Sequence, residues 1–129
     1  MKSYLLDTHT TIWSLTDDES KLSRKAKSII SDTSNPLCVS IASLWEISIK
    51  VSTGKANFDG NINAFHSLLC DNGIELIGIY PTHLGIVETL PFIHRDPFDR
   101  VIIATAKIEK MTIITADKNI QKYDIPWIW

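Results

Sequence analysis

Apolar residues recur along this chain in two rhythms. Short dense runs stand at SYLL (3–6), LCVSI (37–41), IELIGIY (74–80), MTIIT (111–115) and PWIW (126–129). Most are rich in β-branched or aromatic residues, which predicts strands. Between them the apolar positions open out to a spacing of three or four. From Ser20 to Ser31, Leu22, Ala26 and Ile29 or Ile30 share one stripe, with Lys21, Arg24, Lys25 and Lys27 largely off it, as an amphipathic helix requires. Ser34-Asn35-Pro36 then breaks the chain before the next strand. Helical spacing returns over Ile41–Val51, stopping near Gly54, and over Ile62–Leu69, which Asn72-Gly73 is suited to end in a left-handed C-cap. Thr82–Leu90 and Pro97–Glu109 complete the set. Strands alternating with helices predict an α/β layered fold with a mainly parallel sheet, because parallel neighbours need crossover connections of a dozen or more residues.

Length and composition add bounds. A chain of 129 residues with 44% hydrophobic content fits one compact domain over 1–129, with no room for a second core. The formal charge of -2 lacks the basic signature of a nucleic-acid binder, so any such partner must be carried by local features. Cys38 and Cys70 are far apart and show no CxxC spacing, which predicts buried thiols in a reducing compartment. The opening MKSYLLDTHT reaches an aspartate too early for a signal-peptide core, and no apolar run is long enough to span a membrane. The expectation is a soluble cytoplasmic protein with no membrane partner.

The candidate chemistry lies in the acids. Ligands of open parallel sheets bind beyond the carboxyl ends of the strands. Asp7 follows the first apolar run directly and Asp117 comes two residues after MTIIT, so both should emerge on one edge. Glu46 falls in the first turns of the helix after LCVSI, and Asp99 in the first turn of the helix built from PFDRVIIATA. Each also has a local explanation. Asp96 can be an N-cap with Pro97 at N1 and Asp99 at N3. Ser43-x-x-Glu46 reads as a capping box, and Glu46 with Lys50 as an i,i+4 pair. Asp7 and Asp117 can cap helices beginning at Thr8 and Lys118. Capping accounts for these acids one at a time, but not for their convergence on one rim. Clustered carboxylates repel unless a cation neutralises them. Oxygen-only ligands favour Mg²⁺ or Mn²⁺ over Zn²⁺, and Mg²⁺ commonly completes its shell with substrate phosphate. A phosphate-bearing substrate follows. VIIATA, apolar on nearly every side, predicts a central helix pressed on the sheet, which makes its first turn a rigid mount for Asp99.

LLDTH (5–9), SLWEISIK (43–50), HRDPFDRVIIATA (94–106) and TAD (115–117) together resemble the PIN-domain ribonucleases, especially the VapC-type toxins of bacterial toxin–antitoxin pairs. The likeness runs from Leu5 to Trp129. It implies a three-layer α/β/α fold around a parallel sheet, with Asp7, Glu46, Asp99 and Asp117 as an acidic metal-binding and catalytic pocket. Thr115 matches a hydroxyl residue that supports the last acid, and Asp96 is a cap or supporting group. It further implies metal-assisted hydrolysis of RNA, a homodimer and a neutralising antitoxin. RNA contacts are expected from Lys21, Arg24 and Lys25, with Arg95 or Arg100 near the pocket. His9 and His94 flank the pocket and read as structural or incidental, since lone histidines usually are. Trp13, Trp45, Trp127 and Trp129 read as core or interface packing. Two alternatives stay open. A haloacid dehalogenase-type phosphohydrolase also begins with a strand and an Asp, although its second Asp is replaced here by His9. A non-catalytic metal- or RNA-binding regulatory module would use the same acids without cutting.

Overall fold

The computed structural model describes residues 2–16, 18–56, 58 and 60–129. Its strands are β1 (Tyr4–Leu6), β2 (Leu37–Ser40), β3 (Glu75–Ile77), β4 (Thr112–Ile114) and β5 (Trp127–Ile128). They form one sheet in the order β3-β2-β1-β4-β5, parallel at every pairing. The helices are α1 (Thr8–Leu15), α2 (Arg24–Ser31), α3 (Ile41–Ser52), α4 (Ile62–Asp71), α5 (Pro81–Val87), α6 (Pro97–Glu109) and α7 (Lys118–Gln121).

Alternation along the strands divides the core in two. Leu5, Cys38 and Ile113 face a layer holding Ile102, Ile103 and Ala106 of α6 with Ile120 of α7. Tyr4, Leu6, Val39 and Ile114 face the opposite layer, with Ala26, Ile47, Phe65 and Leu69 from α2, α3 and α4. Helices therefore cover both faces, giving the expected three-layer α/β/α arrangement. Each fully buried Leu or Ile contributes on the order of 1.5–3 kcal/mol. VIIATA lies where its apolar girth requires, with Ile102 through Ala106 buried.

Several boundaries differ from expectation for local reasons. The helix expected from Ser20 starts at Arg24, because the Ser23 hydroxyl accepts the Ala26 N–H at 3.0 Å; a 3-10 turn over Glu19–Lys21 precedes it. β3 stops at Ile77, whose partner Ser40 is the last residue of β2, so IELIGIY has nothing further to pair with. α5 ends at Val87 rather than running to Leu90, and the Val87 and Leu90 carbonyls instead accept Arg100. α4 does end through Gly73, at φ +70°. Cys38 is buried as expected, but Cys70 is exposed on α4.

Candidate metal centre at the carboxyl edge of the sheet

β1 sits mid-sheet, flanked by β2 on one side and β4 on the other. The crevice beyond the ends of β1 and β4 is the switch point where open parallel sheets bind ligands. Asp7 leaves β1 into this crevice and is 3% exposed. Its Oδ1 accepts the Thr10 N–H at 2.9 Å, capping α1, and its Oδ2 accepts the Thr115 hydroxyl. The same hydroxyl oxygen accepts the Asp117 N–H at 3.0 Å. Thr115, just past β4, thus couples the acids of two neighbouring strands. Asp117 Oδ1 caps α7 by accepting from Asn119 at 2.8 Å and Ile120 at 3.2 Å.

α6 supplies the third acid. Asp96 is its N-cap, accepting the Phe98 N–H at 2.8 Å, and Pro97 opens the helix. A capping box would fold Asp99 back onto the Asp96 N–H. That N–H instead donates to His94 Nδ1 at 3.2 Å, and Asp99 Oδ2 lies 3.0 Å from His94 Nε2. The same Nε2 hydrogen-bonds Asp117 Oδ2 at 3.0 Å. Of the two expected readings of His94, structural or incidental, the contacts fit the structural one: it hydrogen-bonds Asp117 and lies as close to Asp99. The only trace of this in the chain is its place two residues ahead of the N-cap.

Glu46 comes from α3, which is capped by Ser40 accepting the Ala42 N–H at 3.0 Å. The expected Ser43–Glu46 capping box does not form, since Ser43 lies inside the helix and accepts the Thr8 hydroxyl at 3.0 Å. Nor does the Glu46–Lys50 pair, among the described residues. Glu46 Oε1 is buried without a hydrogen-bond partner. An orphaned buried carboxylate oxygen is rare, and a cation is its natural complement.

The electrostatics agree. Burial, then the charges of Asp96, Asp7, Glu46 and Asp117, push the Asp99 carboxyl up to about 8. Burial also raises Asp7, against the opposing bonds from Thr115 and Thr10. For Asp117 burial is outweighed by the His94 bond and the Asn119 and Ile120 N–H groups, which hold it below the usual carboxylate range. His94, Asp99 and Asp117 offer atoms within 4.8 Å of one another. The two carboxylates of that group, with Asp7 and Glu46 adding their charge at Asp99, fit a hard divalent cation.

A cleft of about 220 Å³ opens from Asp7 and Asp117 across His9, Trp13 and Ala116. Trp13 is thus a cleft wall, Trp45 and Trp127 are 58% and 41% exposed, and Trp129 packs partly buried against the core. Arg100 cannot reach an RNA: it is buried, and its guanidinium donates to the carbonyls of Val87, Leu90, Pro91 and His94. Lys21, Arg24, Lys25 and Arg95 are exposed. No helix among the described residues is long and apolar enough to cross a membrane.

Three solved structures share this architecture. A VapBC2 structure from Rickettsia felis, bound to a promoter DNA fragment, superimposes with TM-score 0.69 at 15% identity, covering 97% of this chain and 96% of that one. DNA-bound VapBC from Salmonella typhimurium gives 0.66 at 16% identity, covering 99% and 98%. FitAcB from Neisseria gonorrhoeae gives 0.64 at 18%, covering 98% and 96%. No curated protein matches the sequence. The sequence also fits the family profile of the PIN domain over residues 4–126, nearly its whole length. The chain belongs to the PIN-domain family.

Proposed function

We propose that this chain is a cytoplasmic, single-domain endoribonuclease dependent on Mg²⁺ or Mn²⁺, acting as the toxin of a toxin–antitoxin pair. In this reading Asp7, Glu46, Asp99 and Asp117 are its metal-binding and catalytic carboxylates. The observation that carries it is the orphaned, buried Glu46 Oε1, whose charge acts on an Asp99 carboxyl that burial first, and then Asp96, Asp7, Glu46 and Asp117, drive upward. Proteins of the PIN family are generally nucleases, and the similar structures are toxin–antitoxin assemblies, which supports an antitoxin partner; a homodimer belongs to the same reading.

When bound, the ion supplies positive charge for the phosphoryl oxygens and lowers the pKa of a water. The chain's own residues do the rest. Asp7 is held rigidly by Thr10 and Thr115, so one carboxylate is preset before any ligand arrives, and the α7 amides anchor Oδ1 of Asp117. Glu46 keeps a buried oxygen without a donor, and Asp99, protonated below about 8 among its neighbouring acids, would release that proton when a cation offsets their charge. The cleft over His9 and Trp13 gives a single strand room beside the acids. Aspartyl-phosphate chemistry fits less well, because both oxygens of Asp7 are engaged by donors within a buried environment.

The test is cleavage of a mixed RNA pool with EDTA, Mg²⁺ or Mn²⁺ by wild type, Asp7→Asn and Asp99→Asn. Metal-dependent cleavage that falls at least about 100-fold in both variants is expected, as loss of a principal electrostatic group predicts. Equal cleavage by all three proteins would reject the assigned roles, and metal-loaded RNA binding without cleavage would favour a regulatory module.

A further inference from the structure

His94 makes more directed contacts than packing requires. A backbone N–H can only donate, so the bond from Asp96 N–H leaves His94 Nδ1 as the bare nitrogen and places the ring hydrogen on Nε2. That Nε2–H donates to Asp117 Oδ2 at 3.0 Å, with Asp99 Oδ2 also 3.0 Å away. A ligating imidazole needs a free lone pair facing the metal. Giving one to Nε2 would move the hydrogen to Nδ1, directly against the Asp96 N–H. The ring is therefore set to donate toward the acids.

The backbone beneath the ring is fixed from both sides. The His94 N–H donates to Tyr123 Oη at 2.9 Å, and the Tyr123 hydroxyl donates to the Pro91 carbonyl at 2.6 Å. Arg100 Nη1 donates to the Pro91 and His94 carbonyls at 3.0 and 3.3 Å. A buried arginine with carbonyl partners is thus devoted to the turn that carries His94. On the other side of the contact, Asp117 Oδ1 already caps α7, so the direction of its remaining oxygen depends on what holds Oδ2.

We propose that His94 is a positioning residue of the metal centre: its Nε2–H holds Asp117 beside Asp99 at a separation suited to one cation, while the ring itself stays outside the coordination shell. The proposal rests on the reading of this pocket as a metal site. Donors that orient ligating carboxylates set metal affinity without touching the metal.

The experiment compares Mn²⁺ affinity, by electron paramagnetic resonance of free Mn²⁺, in wild type, His94→Ala, His94→Met and His94→Gln. Circular dichroism and thermal melting in EDTA verify that each is folded. Gln keeps an N–H donor at the reach of Nε2, whereas Met fills similar space without one. We expect Ala and Met to weaken Mn²⁺ binding about 10- to 100-fold, and Gln to recover to within about threefold of wild type. Should Ala fail to fold, Met against Gln decides. Unchanged or tighter binding in the donor-free variants would overturn the proposal, since His94 would then be idle or would occupy the cation's place. Gln as weak as Met would likewise overturn it. Wild type binding no Mn²⁺ would overturn the metal reading itself, an outcome distinct from either.

Discussion

Asp99 couples the pocket to pH in a direction opposite to most surface acids. Burial and four neighbouring carboxylates bring its folded-state pKa to about 8, against an ordinary value of 3.8. Between those values the folded chain holds a proton that the unfolded chain has released. Stability therefore falls as pH climbs from about 4 to about 8 and levels off above, because the slope follows the difference in bound protons between unfolded and folded states. Asp7, also raised by burial, acts in the same sense. Thermal melting in EDTA from about pH 5 to 8.5 should show a declining midpoint, and Asp99→Asn should flatten much of that decline while leaving the part due to Asp7. A midpoint that rises with pH in wild type, or a slope untouched by Asp99→Asn, would contradict the crowding of charge around this carboxyl. Excess Mn²⁺ should restore the high-pH midpoint in wild type far more than in Asp99→Asn, since only the former keeps the full set of acids.

The first turn of α6 separates two acids that sequence pattern alone treats alike. Asp96 caps the helix and Asp99 turns toward His94, although both sit at capping positions. Asp96→Ala should destabilise the protein by about 0.5–2 kcal/mol, the usual loss for a cap, while Asp96→Asn should cost little because Asn caps as well. Urea denaturation measures both, and a large loss in Asp96→Asn would mean that its charge matters beyond the cap. The cap was legible because Asp-Pro at a helix start is a local signal. That these four acids would lie near one another was legible for a related reason: each follows a strand or lies early in a helix whose apolar pattern is plain, and a parallel sheet sends those ends to one edge. What could not be read depended on contacts between distant segments. Ser43 was expected to cap α3, but β2 ends at Ser40 and the helix begins at once from it, so Ser40 takes the cap and Ser43 falls inside the helix. His94 acquires its role from Asp117, and Arg100 from a turn closed by Tyr123, neither of which spacing reveals. Between the core and interface readings of Trp45 the pattern did not choose, and the residue lies on the exposed face of α3, edge-on to Phe98 at 5.0 Å.

Charge taken over the full chain sets how a polyanion can approach. With a formal charge of -2 and its acids gathered on one rim, the protein repels phosphate where the proposed chemistry occurs. Arg100 is buried, so the exposed basic groups available from the expected set are Lys21, Arg24, Lys25 and Arg95, and Lys21 already lies 3.6 Å from Asp18. One divalent ion would bring the formal charge to zero, and its placement at the rim would reverse the local potential. Association with RNA should therefore require the metal, and it should depend only weakly on salt. Fluorescence anisotropy of a non-cleavable 2′-O-methyl oligonucleotide should register no binding in EDTA and measurable binding with Mn²⁺. If about two or three phosphates are contacted, the logarithm of the affinity should fall with the logarithm of salt at a slope near -1.4 to -2. Strong binding in EDTA, or a slope steeper than about -4, would mean that a basic surface rather than the ion-loaded rim captures the strand. The acids would then lie apart from the nucleic-acid path, and the cleft beside His9 and Trp13 would lose its place in the mechanism.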